Sequence, residues 1–420
     1  MIEQLFGFIE QSPTGFHAVD TIRRKLEKAG FTQLHETDEW SVSGGGKYFV
    51  IRNGSSIAAF VLPAGEIEGF HMAAAHSDSP SFKIKEKPEM TVDEKYVKLN
   101  CEKYGGMILS TWLDRPLSVA GRVIIKEKGK FVSKLVNVDK DLLVIPNVAV
   151  HMNRDMNKGV EYNPQTDMLP LYAGIENKGS FTEEIARAAG VEKEEILGSD
   201  LFLYVREKGK RFGAGGEFIC APRLDDLECA FALTEGIVCA EGSGNYGKIA
   251  VVFDNEEVGS ATKQGADSTF LSDILLRIRE ALGKTDSWLC QRIARSFMIS
   301  ADNAHAVHPN HPEKADPTNR PYINGGIVIK YHGSQRYTTD GISSAVMEDL
   351  CMEANVPCQT YANRSDIAGG STLGNISTAH VSVDTVDVGL AQLAMHSAYE
   401  TAGAEDIAYL VKMLEVFFKR

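Results

Sequence analysis

The chain has three parts that differ in their sequence pattern, and this arrangement constrains the fold more than any other feature. The first and last parts combine apolar strand patterns with helix patterns, and the part between them has a different character. Three apolar strand patterns, YFVIRN, SIAAFVLP and GFHMAAAH, fill residues 47–76, and the alternation of strand and helix returns after Pro222. Near-continuous apolar strands are typical of sheets buried on both faces, and strands that alternate with helices are typical of parallel sheets. The sequence therefore predicts an α/β sandwich formed by both ends of the chain.

The middle segment instead shows alternating polar and apolar residues. Examples are KYVKLN and LFLYVREKGKRF, and one helix pattern, SFTEEIARAAG, interrupts them. This alternation predicts antiparallel strands with one exposed face. Because 420 residues are enough for two domains, we predict one domain from residues 1–91 with 221–420, and an inserted β-rich domain from residues 92–220.

Apolar residues at helical spacing predict helices at both ends of the chain. The first thirty residues contain two short helix patterns, with Phe16, Val19, Ile22 and Leu26 on one face of the second. The segment VGLAQLAMHSAYETAG, residues 388–403, is interpreted as a further helix, followed by a C-terminal one in AEDIAYLVKMLEVFFKR.

Charge and cysteine content exclude several classes of protein. The formal net charge of -13 argues against nucleic acid or an anionic membrane as a partner, because both need basic patches. No run approaches 18 apolar residues, and the N-terminus lacks the features of a signal peptide. Seven scattered cysteines without a C-x-x-C pair are typical of reduced thiols. We therefore predict a cytoplasmic protein.

Polar residues capable of metal binding follow the apolar strand patterns. Ligands bind at the carboxyl ends of strands in open α/β sheets, so these positions are candidates for a functional site. Histidine and carboxylate together suit zinc, manganese or cobalt in a catalytic site. The candidates are His76, Asp78, Asp225, Asp226, Asp254, Glu256, Glu257, Asp302, His305 and His380.

The adjacent pair Glu256–Glu257 is the most informative of these candidates. One carboxylate of such a pair can bind a metal ion, while its neighbour acts as a general base on a water molecule. Asp78, two residues after His76, is placed to orient that histidine through its second ring nitrogen. Each residue taken singly is more often a cap or a turn residue, so the prediction depends on the whole set.

Six motifs together resemble the aspartyl aminopeptidase family of dinuclear metallo-aminopeptidases. They are HSDSP, PRLDDL, FDNEEVGS, SADNAHAVHPN, VIKYHGSQRY and the His380 segment, and SPTGFHAV and IPNVAVHMNRD extend the match over nearly the whole chain. The resemblance implies a catalytic domain of the zinc-exopeptidase type with an inserted assembly domain. It also implies removal of the N-terminal residue from short peptides, with a preference for Asp or Glu, by a homo-oligomer that forms a tetrahedral dodecamer.

The resemblance also implies a role for each candidate. Asp225 would bridge two divalent metal ions, expected to be zinc, with cobalt or manganese as alternatives. The remaining ligands would be His76 and Asp302 for one ion and Glu257 and His380 for the other. Glu256 would be the general base, and Asp78 would support His76.

Four further residues match substrate-binding positions of the family. His151 would reach the active site of a neighbouring subunit, His308 would line the substrate site, and Lys330 and Tyr337 would lie near the side-chain pocket, with Lys330 pairing with an acidic substrate side chain. Two features depart from the family pattern: Asp226 stands where many relatives have asparagine, and the loop IAGGSTLGNIS differs in detail.

Two other functions remain open at this stage. A carboxypeptidase or an N-acyl deacylase could use the same two-metal scaffold, but it would need a basic cluster for a substrate carboxylate. A hollow oligomer could also act as a scaffold without catalysis, although several buried carboxylates would then have no purpose.

Overall fold

The computed structural model describes residues 1–240 and 244–420. The chain forms two compact units, one of Met1–Asp78, Gly209–Met395 and Glu400–Arg420, and one of Ser79–Lys208 and His396–Tyr399. The long segment of the second unit, Ser79–Lys208, begins and ends before the predicted boundaries at residues 92 and 220. The reason is that the strand Ser81–Val92 joins the sheet of the second unit, whereas the short strand Lys210–Phe212 joins a sheet of the first.

Twenty strands and nine α-helices are present in the two described ranges. The strands are β1 Thr32–Leu34, β2 Lys47–Arg52, β3 Ser56–Val61, β4 Gly69–His76, β5 Ser81–Val92, β6 Tyr96–Tyr104, β7 Leu117–Glu127, β8 Lys130–Asn137, β9 Leu171–Gly174, β10 Gly198–Val205, β11 Lys210–Phe212, β12 Phe218–Ala221, β13 Tyr246–Phe253, β14 Phe297–Ala301, β15 Ala304–His305, β16 Ile327–Tyr331, β17 Cys358–Ala362, β18 Asp384–Gly389, β19 Ala391–Leu393 and β20 Glu400–Gly403. The helices are α1 Ile2–Glu10, α2 Gly15–Lys28, α3 Phe181–Ala189, α4 Leu224–Val238, α5 Phe270–Ala281, α6 Asp286–Ile293, α7 Gly341–Glu353, α8 Leu373–Ser377 and α9 Asp406–Lys419.

A nine-stranded sheet forms the centre of the first unit, in the order β1-β2-β3-β13-β4-β14-β18-β16-β17. The neighbours β13, β4, β14 and β18 are all parallel. Phe253, the last residue of β13, lies opposite His76, the last residue of β4. The carboxyl ends of these strands therefore meet along one edge of the sheet.

Each face of this sheet carries its own hydrophobic core. In β4, Ala73 and Ala75 belong to one buried cluster, whereas Met72 and Ala74 belong to the other. Successive residues of a strand point to opposite faces, so a strand buried on both sides must be apolar throughout. This explains the unbroken apolar pattern of GFHMAAAH.

Helices cover these two faces. Helices α1, α2, α4, α7 and α9 contribute buried residues to one core, and α5 contributes to the other. The two N-terminal helix predictions are confirmed by α1 and α2. No helix within the described ranges is both long and apolar enough to cross a membrane.

The second unit is built around a six-stranded sheet in the order β8-β7-β10-β5-β6-β9. All of its strand pairs are antiparallel, in agreement with the alternating pattern of the middle segment. Helix α3 adds Phe181 and Ile185 to the hydrophobic core of this unit. The helix predicted in SFTEEIARAAG is therefore confirmed.

The helix predicted over residues 388–403 is wrong. This segment contains the end of β18, then β19 and β20, which pair antiparallel in a five-stranded sheet of the order β11-β12-β20-β19-β15. Gly389 explains part of the difference, because a Cβ atom there would collide with the carbonyl oxygen of Asp302. The local apolar spacing is compatible with a helix, but pairing with distant strands decides the structure.

Candidate metal centre

Three neighbouring strands and one helix bring the predicted ligands together. His76 is the last residue of β4, Asp302 directly follows β14, and Glu256 and Glu257 lie in a short 3-10 turn just after β13. Asp225 lies in the first turn of α4, at a point where the backbone departs from helical geometry. These positions all lie at the carboxyl edge of the parallel strands, where α/β sheets commonly bind ligands.

The distances between these side chains are those of a candidate metal site. His76 Nε2 lies 3.4 Å from Asp225 Oδ1 and 3.9 Å from Asp226 Oδ2. Ligand atoms of His76, Asp225, Asp226 and Asp302 lie within 4.8 Å of one another, and all four residues are buried. Glu257 offers an oxygen within the same distance of Asp225 and of His76. One compact group of carboxylates therefore surrounds one imidazole.

Asp78 connects the histidine to the turn that carries the two glutamates. Its Oδ1 accepts a hydrogen bond from Glu256 N at 3.1 Å, and its Oδ2 accepts one from Glu257 N at 3.2 Å. His76 Nδ1 lies 3.0 Å from the Asp78 carbonyl oxygen and 3.3 Å from Asp78 Oδ1. Fixing Nδ1 in this way directs Nε2 toward the cluster, as is usual for histidines that bind metals.

Buried polar side chains hold the backbone of the cluster, and one of them, Glu400, was not among the candidates from the sequence. Glu400 accepts a hydrogen bond from Asp225 N at 3.0 Å, and Asp226 Oδ2 accepts one from His76 N at 3.1 Å. Asn303 donates from Nδ2 to the Leu224 carbonyl oxygen at 3.2 Å. Glu400 could not be found from the sequence because its segment was predicted to be a helix.

Burial and mutual repulsion perturb the ionisable groups of the cluster. Burial raises the pKa of Glu256 to about 8, with a contribution from nearby carboxylates, and raises the pKa of Glu257 well above its usual value. Burial likewise raises the pKa of Asp302. The pKa of His76 is raised although burial opposes this, because three carboxylates surround the ring. A divalent cation would relieve this repulsion, so the donor set fits a bound metal ion.

Lys330 and Tyr337 extend the site from Asp302. Lys330 is only 2% exposed, and its Nζ donates to the Asp302 carbonyl oxygen at 2.7 Å and lies 3.8 Å from Asp302 Oδ2. The Asp302 charge raises the pKa of Lys330, although burial opposes this. The ring of Tyr337, also buried, lies 5.1 Å from the ammonium group. Lys330 is therefore a fixed cation beside the candidate site.

The structure does not bring His380 to the other predicted ligands. It precedes β18, which runs parallel to β14, so it lies at the edge of the sheet opposite Asp302. Its Nε2 lies 2.8 Å from Asp267 Oδ1 instead. The assignment of His380 to the cluster came from the resemblance to the family motifs.

Two predicted substrate residues also lie outside the cluster. His308 is exposed, and its Nδ1 accepts a hydrogen bond from Asn310 N at 3.2 Å. His151 belongs to the second unit, where it is exposed in a turn. Their predicted roles stay predictions.

Comparison with known proteins places the site in a family. A family model described as aminopeptidase I zinc metalloprotease (M18) matches residues 8–418. The chain belongs to the M18 aminopeptidase family. A probable M18 family aminopeptidase 2 of Clostridium novyi is 48% identical over 423 residues, which cover 99% of this chain and 98% of that protein. The resemblance inferred from the motifs is confirmed, and this M18 chain is a metallo-aminopeptidase, a hydrolase acting on peptide bonds.

Solved structures show the same fold. The structure of Chaetomium thermophilum mApe1 is 32% identical with a TM-score of 0.89, and the match covers 99% of this chain and 96% of that one. The structure of the S. cerevisiae mApe1 dodecamer is 28% identical with a TM-score of 0.87, over 99% of this chain and 95% of that one. The predicted α/β fold class of this M18 chain is confirmed.

Proposed function

We propose that this M18 aminopeptidase removes the N-terminal residue from short peptides with two divalent ions held at the carboxyl edge of the central sheet. The ions would be zinc, with cobalt and manganese as alternatives. The observation that carries the proposal is the convergence of buried donors from β4, β13, β14 and α4. The proposed ligands found in this cluster are His76, Asp225, Glu257 and Asp302.

The position of Asp225 supports its role as the bridging ligand. It lies within 4.8 Å of His76 and Asp302 in one group and within the same distance of Glu257. When bound, the divalent ions supply Lewis-acid polarisation of the scissile carbonyl and lower the pKa of a water molecule. His76 and Asp302 would complete one ion site, and Glu257 would belong to the other.

We propose His396 in place of His380 as the remaining histidine ligand. The chain leaves β18 at the carboxyl edge of the sheet, continues through β19 to Met395, and reaches His396 next. The Nδ1 atom of His396 lies 2.5 Å from the Gly106 carbonyl oxygen, a contact that fixes the orientation of the ring, as is usual for histidines that bind metals. His380 begins on the opposite edge, beside Asp267.

Glu256 is the proposed general base. Its backbone is held by Asp78, and its carboxyl group lies close to His76. Glu256 would take a proton from the attacking water and give it to the departing amine. A pKa of about 8 in the ion-free protein favours the proton-donating state, and bound cations would lower this pKa toward the basic state. A carboxyl group near neutrality can serve in both directions.

A preference for an acidic N-terminal residue is proposed from Lys330. Its ammonium group donates to the carbonyl oxygens of Asp302 and Asn303, at 2.7 and 3.5 Å, and lies 3.8 Å from Asp302 Oδ2. The aromatic ring of Tyr337 lies beside it. A substrate carboxylate reaching this position would gain a charge-assisted hydrogen bond. His308, exposed after β15, is the further proposed substrate contact.

Assembly into a homo-oligomer is proposed for this chain, with the tetrahedral dodecamer as the expected form. The similarity to the S. cerevisiae mApe1 dodecamer supports it. The second unit also exposes large apolar side chains, Phe131 at 73% and Met152 at 82%. We propose that His151, next to Met152, acts across a subunit interface.

The substrate class is tested with matched peptides. Free-amine and N-acetylated dipeptides carrying Asp, Glu, Ala or Leu first should be assayed with zinc, cobalt and manganese. We expect cleavage of free-amine substrates alone, fastest with Asp or Glu. Faster cleavage of the N-acetylated series would contradict the proposal and favour a deacylase.

The general base is tested with Glu256→Gln. The variant keeps the side-chain shape, so we expect normal metal content and a kcat lowered by roughly 10²- to 10⁴-fold, the usual contribution of a positioned base. Near-normal kcat with full metal content would show that Glu256 is not the base.

A further inference from the structure

Asp387, a completely buried residue of β18, joins two loops that are far apart in sequence. Its Oδ2 accepts hydrogen bonds from Thr338 N at 2.5 Å and from Thr338 Oγ1 at 2.7 Å. Its Oδ1 accepts one from Thr372 Oγ1 at 2.6 Å. Each carboxylate oxygen therefore accepts hydrogen bonds from a different loop.

Further contacts hold the same two loops. Asp387 N donates to Thr339 Oγ1 at 2.9 Å, so the segment 338–339 is bound to Asp387 through side chain and backbone. Arg336 donates from Nη1 to the Gly369 carbonyl oxygen at 2.7 Å, which joins the loops at a second point. Thr372 belongs to the loop IAGGSTLGNIS, residues 367–377, here called the glycine-rich loop. Gly374 lets this loop approach closely, because a Cβ atom there would lie 2.7 Å from Asp387 Oδ1.

One of these loops carries a proposed substrate residue. Tyr337 directly precedes Thr338, is buried, and lies over the ammonium group of Lys330. Lys330 in turn donates to the backbone of Asp302. A continuous set of contacts thus runs from the metal cluster through Lys330 and Tyr337 to Asp387 and the glycine-rich loop.

We infer that Asp387 is a positioning residue for substrate specificity, which holds Tyr337 and the glycine-rich loop in one arrangement around the first side chain of the peptide. This inference rests on the proposed function. Hydrogen bonds to a buried carboxylate are stronger than hydrogen bonds between neutral groups, so each hydrogen bond to Asp387 restricts the movement of its loop. Removing one of these hydrogen bonds leaves Glu256 and the proposed metal ligands in place. The expected effect therefore falls on substrate binding and on discrimination between side chains.

The test removes one hydrogen bond to Asp387 at a time with isosteric variants, because truncating Asp387 itself leaves several buried donors without a partner. Thr372→Val removes the hydrogen bond between Asp387 and the glycine-rich loop, and Thr338→Val removes one between Asp387 and the segment that carries Tyr337. Thr234→Val is the matched control, since its buried hydroxyl donates to the Ala230 carbonyl oxygen of its own helix, away from both loops. The readouts are KM and kcat for Asp, Glu, Ala and Leu substrates, metal content and melting temperature.

We expect Thr372→Val and Thr338→Val to raise KM for the preferred substrate by about 5- to 30-fold, which is the range for one lost hydrogen bond. In these variants kcat should change less than about threefold, and metal content should stay normal. The ratio of kcat/KM between acidic and apolar substrates should become smaller. The control should match the wild type in all of these. A uniform loss for every substrate, or an unchanged preference in both variants, would overturn the inference. If the wild type cleaves no free-amine substrate, the proposed function fails instead.

Discussion

Replacing Asp78 with asparagine should disrupt the metal centre without removing any ligand. Each carboxylate oxygen of Asp78 accepts a backbone N–H, at 3.1 Å from Glu256 and 3.2 Å from Glu257. An amide has only one carbonyl oxygen, so in Asp78→Asn an NH₂ group must face one of these donors. The variant loses one charge-assisted hydrogen bond and places two donors together, a cost of about 1–3 kcal/mol.

That cost falls on the position of His76 and of the turn carrying both glutamates. Since 1.4 kcal/mol corresponds to a factor of ten, we expect metal affinity or kcat/KM to fall by about 10- to 100-fold. The assay is a titration of the metal-free enzyme with zinc, followed by both activity and bound metal. Asp267→Asn is the control, because this carboxylate contacts only the part of the chain around His380. Equal behaviour of Asp78→Asn and the control would refute the orienting role of Asp78.

Three further predictions concern the second histidine, acid stability and helix packing. His396→Gln should lower bound metal toward one ion per chain while His380→Gln keeps two, and the reverse result by metal analysis would restore His380. Burial, with two nearby cations, lowers the pKa of His71 to about 4. The unfolded chain therefore binds a proton that the folded chain rejects, so about 3 kcal/mol of stability present above pH 6.5 is lost as the pH falls toward 4. The free energy of unfolding, measured in urea between pH 4 and pH 7, should depend less on pH for His71→Gln than for the wild type, and the same pH dependence in both would contradict this. Gly236→Ala should destabilise by about 1–3 kcal/mol despite the better helix propensity of alanine, because its Cβ would lie 2.9 Å from Leu414 Cβ; a raised melting temperature would disprove it.

The proposed metal ligands at the ends of β4, β13 and β14 could be brought together from the sequence because those strands are apolar throughout and end abruptly in charged residues. A buried parallel strand must be apolar on both faces, so its end is visible in the sequence. The parallel arrangement then places Asp302 and Glu257 beside His76. Local sequence and long-range structure agree at these positions.

The course of the chain after β18 could not be predicted because β19 and β20 are short and their apolar spacing also fits a helix. Their structure depends on pairing with each other and with β12, which is remote in sequence. The helix assignment hid the course of the chain around His396, the histidine proposed here, whereas His380 was chosen on the resemblance to the family. The same error concealed Glu400, whose carboxylate binds Asp225 N.

The hydrogen-bond network around Asp387 was equally invisible in the sequence. Aspartate in a strand pattern such as DTVDVG carries no sign of its partners. The contacts with Thr338 and Thr372 join loops that only the folded sheet brings together. Buried polar groups of this kind require a structure before their partners can be named.

Anomalous diffraction at the zinc absorption edge, from crystals of the zinc-loaded enzyme, would locate the metal ions themselves. We expect two ions about 3.5–4 Å apart, the spacing of two-metal hydrolytic sites, with Asp225 between them. His76 and Asp302 should contact one ion and Glu257 the other. A single ion, or ions bound away from these four residues, would show that the proposed dinuclear centre is wrong.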